Sequence, residues 1–149
     1  MKKFLILFLL VYVTSQVSAQ KASQIVGLWW NEKKTSKIEV KEVNGTYTAT
    51  VVYILPEKYV NGEPERDTEN PDPALRSRSK LGLQIMSGLK FDAAEKEWSN
   101  GRIYDPDSGK TYDCYAWFED NNFDILNLKG FVVGIRWLGK STQWTKVTQ

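Results

Sequence analysis

Asn44-Gly45 divides two stretches in which polar and apolar side chains alternate. Before it, Ile38 and Val40 fall on one face of Lys37 to Val43, with Lys37, Glu39 and Lys41 on the other. After it, Tyr47, Ala49, Val51 and Tyr53 share a face of Thr46 to Leu55, opposite Thr46, Thr48 and Thr50. A period of two marks a strand buried on one side. Asn-Gly tolerates the positive φ that both central residues of a tight hairpin turn require. This hairpin commits the chain to antiparallel sheet.

The same grammar runs through the rest. Ile25 to Trp30 reads as a short apolar strand, and Leu83, Ile85 and Leu89 share a parity after Gly82. Trp98 to Tyr104 is the next strand. It ends at Asp105-Pro106-Asp107-Ser108-Gly109, where Pro presets φ, Asp and Ser bond the local backbone and Gly supplies positive φ. Lys110 to Phe118 places Tyr112, Cys114, Ala116 and Phe118 on one side. Glu119 to Asn122 turns the chain again, and Phe123 to Val133 and Gly134 to Val147 complete the set, with an interruption near Gly139. About eight strands joined by short hairpins predict an all-β fold, a single antiparallel up-and-down barrel. A two-sheet sandwich is the alternative. An eight-stranded barrel has room for filling side chains or for one small ligand.

Residues 56–80 break the pattern. They hold four of the five prolines, many charges and little periodicity, and are expected to form one long loop with a helical turn around Pro73 to Ser77.

The first residues are of another kind. Lys2 and Lys3 precede an apolar run from Phe4 to Val13, and Val17-Ser18-Ala19 supplies small residues for a signal peptidase. The run is too short to span a bilayer core of about 30 Å as a helix. The expectation is a signal peptide over residues 1–19, a folded domain over residues 20–149, and an exported protein, periplasmic or secreted. No Cys follows the small residues, so no membrane anchor is expected after cleavage. The sequence carries 20 basic and 18 acidic residues, and loss of Lys2 and Lys3 leaves 18 against 18. No basic field for nucleic acid remains.

The single cysteine, Cys114, has no partner within the chain, and burial as a small hydrophobe is the expected fate. There is no His, which removes the commonest general base and metal ligand together. No catalytic residues, no metal site and no cofactor are predicted. Hydrolysis by paired carboxylates is kept as a minor reading, since geometry rather than spacing defines such pairs.

Several segments together resemble a bacterial exported family catalogued as domain of unknown function 2147. They are Gly27-Leu28-Trp29, Asn70-Pro71-Asp72-Pro73-Ala74-Leu75-Arg76-Ser77-Arg78, Leu81 to Leu89, Trp98 to Tyr112, Leu128-Lys129-Gly130-Phe131 and Thr142-Gln143-Trp144-Thr145-Lys146-Val147. The family typically has glycine where Asn100 stands and arginine where Lys146 stands. The resemblance implies a lipocalin-like barrel and no particular activity. It also implies a structural signature: Gly27 and Trp29 open the first strand, Trp29 closes one end, and Lys146 of the last strand packs over its ring. A cation over an indole is favourable by roughly 0.5–2 kcal/mol, and Lys lacks the planar guanidinium that stacks best.

Candidate ligand-binding residues come from two sources. In the loop, Asp72, Arg76 and Arg78 either form a fork for a ligand carboxylate or phosphate, or pair with one another and pin the loop. In the strands, Trp98 and Tyr104 share a parity with Tyr112 one strand away, either as an aromatic-lined mouth or as plain core. The reading that follows is an envelope barrel binding a small apolar or acidic ligand through a mouth gated by residues 56–80. The alternative is a filled barrel that serves as an interaction module. Oligomeric state is left open.

Overall fold

The computed structural model describes residues 22–120, 122–132 and 134–148. The expected signal peptide lies outside the described residues. Among the described residues ten strands form in chain order: β1 (Gly27–Trp30), β2 (Ser36–Val43), β3 (Thr46–Ile54), β4 (Tyr59–Val60), β5 (Glu63–Pro64), β6 (Gln84–Asp92), β7 (Glu97–Asp105), β8 (Lys110–Trp117), β9 (Ile125–Phe131) and β10 (Gly139–Lys146). Eight of them close into a barrel in the order β1-β10-β9-β8-β7-β6-β3-β2, every pairing antiparallel. Closure gives every strand of the barrel a neighbour on each side.

The alternation that marked the strands also sorts the core. Ile38, Val40, Tyr47, Ala49, Leu126, Leu128 and Trp144 point inward and are buried. Three segments depart from the simple pattern, and each departure is an extra residue in a strand. The register slips near Ile38 and Val51, which turns Tyr53 outward to pack against Trp30 and Lys37 rather than beside Val51. Gly88 lies in the left-handed region within β6. In β7, Trp98 pairs with Ala116 but Gly101 pairs with Cys114, so three residues face two, and Asn100 at the bulge has φ +61°. A bulge moves every later side chain to the other face. Gly101 closes the wall here, since a Cβ on it would lie 2.5 Å from Leu89 and 2.9 Å from the Cys114 sulfur.

Gly134 to Leu138, expected as strand, instead belong to the connection between β9 and β10. The long loop holds a small hairpin, β4–β5, which was not expected from the sequence. Its turn is Asn61-Gly62, the same dipeptide that closes β2–β3, with both residues at positive φ.

Chain direction fixes the two ends of the barrel. One end is filled: Ile25 and Trp29 are fully buried, Trp29 Nε1 donates to the Ile25 carbonyl at 3.0 Å, and Trp98, Phe91 and Phe118 pack around them. The Lys146 ammonium stands 5.8 Å from the Trp29 ring centre, with the two residues paired across β1 and β10. The other end, the mouth, carries the β1–β2 turn, the β3–β6 connection, the β7–β8 turn and the β9–β10 connection.

Cys114 is buried in the wall, and desolvation, helped by Asp113, pushes its thiol up to about 12. A neutral, enclosed thiol is a poor nucleophile. The folded protein is therefore expected to resist iodoacetamide at neutral pH and to be modified fully in denaturant. Stoichiometric labelling of the native state would show that the wall opens at this point.

Candidate functional site

Inside the mouth half of the barrel lies a cavity of about 730 Å³, within the range of small-molecule sites. Its floor is apolar: Ile38, Val51, Ile85, Ile103 and Trp144. Its rim is charged, with Lys33, Lys58, Lys80 and Lys140 alternating with Glu32, Glu65, Glu69, Asp105 and Asp107. The barrel is therefore half filled and half hollow, with Trp144 as part of the divide.

Not every rim cation is free to meet a ligand. Lys80 donates to Asp107 at 2.8 Å and to Glu65 at 3.3 Å. Burial works to lower the Lys80 pKa, but the bonds and charges of Asp107 and Glu65 overcome it and the net direction is upward. Lys80 in turn lowers the Asp107 pKa, chiefly through their hydrogen bond. Lys33 stands 3.7 Å from the same Asp107 carboxylate. Lys58 and Lys140 have no ion pair among the described residues. Lys140 shares its strand face with Thr142 and Trp144, so it reaches the cavity from the barrel wall itself.

The long loop is pinned across the mouth. Its limbs pair at Arg66 and Ser79, and backbone bonds join Asp67 to Arg78 and Lys80 to Glu65. The fully buried Asp67 carboxylate is the hub. One oxygen accepts from the Tyr104 hydroxyl at 2.6 Å; the other accepts from Asn70 Nδ2 and Arg78 Nε, each at 2.8 Å. Glu69 lies against the β7–β8 turn so closely that a Cβ on Gly109, itself at φ +68°, would fall 1.9 Å from the Glu69 carbonyl oxygen. Only glycine fits that position.

Burial acts to raise the Asp67 pKa, but hydrogen bonds from Tyr104, Asn70 and Arg78, with the Arg78 charge, overcome it and hold the carboxyl below its usual value. The folded pKa is thus below the unfolded one, so the stabilisation exists above the unfolded value of about 3.9 and is lost as pH falls through the folded value. Denaturant midpoints are expected to drop for the wild type between about pH 5 and pH 3, and to drop less for Asp67→Asn. Equal slopes in the two proteins would remove Asp67 as the acid-sensitive group.

The structure brings two of the six candidate ligand residues to the cavity. Tyr104 and Tyr112 line it, the first held by Asp67. Asp72, Arg76 and Arg78 do not. Asp72 caps the turn Pro73–Leu75 by accepting from Ala74 N, Arg76 Nε donates to the Asn70 carbonyl, and Arg78 is spent on Asp67. Within this segment the partner of Arg78 is Asp67 and not Asp72. Trp98 also lies away from the cavity, at the filled end, where its Nε1 donates to the Ala22 carbonyl. Six residues of strand separate it from Tyr104, about 20 Å, and the bulge at Asn100 breaks the parity that linked them. Lys140 was not among the sequence candidates: the interruption read near Gly139 does not show that the connection ends there, so that Lys140 enters the wall at the rim.

Asp105 accepts from Asp107 N and from the Ser108 hydroxyl, so this acidic segment is a hydrogen-bonded hairpin turn. Among the described residues no group of three or more Cys, Asp and Glu is arranged to hold a metal ion.

Comparison with known proteins agrees with this architecture. A bacterial family described as "Uncharacterized protein conserved in bacteria (DUF2147)" matches over residues 27–146. No curated protein matches the chain. Among solved structures the fold is similar to one described as "Protein HP1028 from the human pathogen Helicobacter pylori belongs to the lipocalin family", at a TM-score of 0.67 and 24% identity over 83% of each chain.

Proposed function

This chain belongs to the bacterial family of uncharacterized proteins DUF2147, and from that premise we propose that it is a binding barrel of the cell envelope for a small ligand with an apolar body and an acidic head. The observation that carries the reading is the mouth cavity of about 730 Å³, apolar below and crossed at its rim by Lys140, which has no ion pair among the described residues. The apolar body would lie on Ile38, Val51, Ile85 and Trp144, where each buried methylene contributes about 0.8 kcal/mol. The head would meet Lys140, with the Tyr112 hydroxyl on the same wall. The pinned loop narrows the way in. The exported location is supported by the basic start, the apolar run and Val17-Ser18-Ala19.

Native mass spectrometry of the protein recovered from its own cells tests the whole reading. The expected result is a chain beginning at Gln20 that carries an organic acid, which extraction into organic solvent releases. A barrel that is empty, and whose melting temperature does not respond to a panel of amphipathic carboxylates and phosphates, would refute ligand binding.

A further inference from the structure

β1 ends at Trp30, while β10 begins much nearer the mouth, at Gly139. The two strands pair at Trp29–Lys146 and Trp30–Thr145, and Val147 N donates to the Leu28 carbonyl at 2.9 Å. The rest of β10, from Gly139 to Trp144, is paired with β9 on one side only. Residues 31–35, which carry the chain from β1 to β2, make no backbone hydrogen bond to it. The wall therefore has a slot at the mouth, between β10 and the β1–β2 turn. The cavity lies behind this slot: Glu32, Lys33 and Thr35 line it from one side, Lys140 and Thr142 from the other.

The alternation of an antiparallel ladder decides which backbone groups are left open. Val147 N points at β1, whereas Lys146 N donates to the Asp124 carbonyl on the β9 side. Steps of two back from Val147 put the N–H and C=O of Gln143, Ser141 and Gly139 on the open side. All three residues are exposed. No proline interrupts this edge, and neither outward side chain, Ser141 or Gln143, carries a charge. Two common guards against strand addition are thus missing. A row of open N–H and C=O groups along a strand is matched by an extended polypeptide backbone.

We propose that the slot takes a short free peptide as an added strand, antiparallel to β10 and in line with β1. The proposal rests on the reading of the hollow as a ligand site and names the chemistry of that ligand. β1 runs toward the mouth, so a peptide in its line brings its carboxylate to the rim beside Lys140. Its ammonium end falls at the β1–β2 turn, where Glu32 lines the cavity. Neither Lys140 nor Glu32 has an ion pair among the described residues. Lys140 to Gln143 span about 13 Å at roughly 3.3 Å per residue, which suits about three or four residues. Side chains opposite Lys140 and Thr142 point inward over the apolar floor, and the one opposite Ser141 points to solvent.

Calorimetric titration of the protein with trileucine tests this, beside trileucine methylated on the nitrogen of its second residue and trileucine with an amidated C-terminus. Anilinonaphthalene sulfonate serves as a probe of the hollow itself. Trileucine is expected to bind at one saturable site. Methylation removes the N–H that meets the Ser141 carbonyl, and is expected to lower the affinity by about tenfold or more. Amidation is expected to weaken binding as well. Ser141→Pro removes a donor from the open edge and none from the β9 ladder, and is expected to lose trileucine while still binding the dye. The methylated peptide needs no variant, so that comparison holds whatever Ser141→Pro does to stability. Dye binding without trileucine binding, or equal binding of the methylated and unmethylated peptides, would overturn the peptide proposal and leave the acidic-ligand reading standing. Binding of neither dye nor peptide would overturn both. A dimer in sedimentation equilibrium that Ser141→Pro dissociates, in a protein that ignores trileucine, would give the edge to a second copy and overturn the proposal.

Discussion

Replacing Asp67 with alanine is expected to destabilise the protein by about 2–4 kcal/mol, the range for removing one partner from a buried, charged hydrogen-bond network. The cost does not come from one ion pair. Tyr104, Asn70 and Arg78 all converge on this carboxylate, and the variant leaves the Tyr104 hydroxyl without its acceptor and the Asn70 amide with the Tyr104 oxygen in place of two acceptors. Arg78 is half-buried and can turn to water, which keeps the expected loss below the extreme for such sites. The loop should loosen before the barrel does, since β4, β5 and Pro73–Leu75 contribute no buried residue to the core. Limited proteolysis should therefore cut the variant between residues 65 and 80 while the barrel fragments remain associated. A denaturant midpoint and cleavage pattern equal to wild type would mean that the loop is held by Lys80–Asp107 and the Gly109 contact alone.

Trp29→Ala acts at the other end and should cost about 3–5 kcal/mol, as for other fully buried aromatic residues. Trp29 is wholly enclosed, packs 5.9 Å from the Phe118 ring and satisfies the Ile25 carbonyl. Its removal leaves a void among side chains that cannot all collapse, and an orphaned carbonyl beside it. Chemical denaturation measures this directly. The filled and hollow halves are distinct, so at temperatures where the variant is folded its affinity for a dye that enters the hollow should stay close to wild type. A stability loss under about 1 kcal/mol would mean that the closed end is loosely packed.

Much of the barrel was legible because its chemistry is local. The alternation of Ile38 with Val40 and of Tyr112 with Cys114 and Ala116, together with Asn44-Gly45 and the turn before Lys110, needs only neighbours in sequence. What escaped depends on a single inserted residue. The bulges near Val51 and Asn100 reverse parity, so Tyr53 left the interior and Trp98 and Tyr104 parted company. The position where the family carries glycine, Asn100, was the signal for the second bulge, since its φ of +61° is one that glycine adopts freely. The loop posed a different difficulty. Arg78 bonds a carboxylate eleven residues back because the two loop limbs pair, and no local spacing announces that. A hollow was one of two readings of the interior, beside a filled core; Arg76 and Arg78 bond groups of the loop, and it is Lys140 on the barrel wall that lines the hollow.

The central claim is that this hollow, and not the outer surface, takes a ligand with an apolar body and an acidic head. Anilinonaphthalene sulfonate has that chemistry and fluoresces when desolvated. Titrating it into the wild type and into Thr142→Trp, whose new indole would fill the space beside Tyr112 and Lys140, tests the claim most directly. One saturable site is expected in the wild type, and its loss in Thr142→Trp at an unchanged melting temperature. Equal binding by the two proteins would place the dye elsewhere and contradict it.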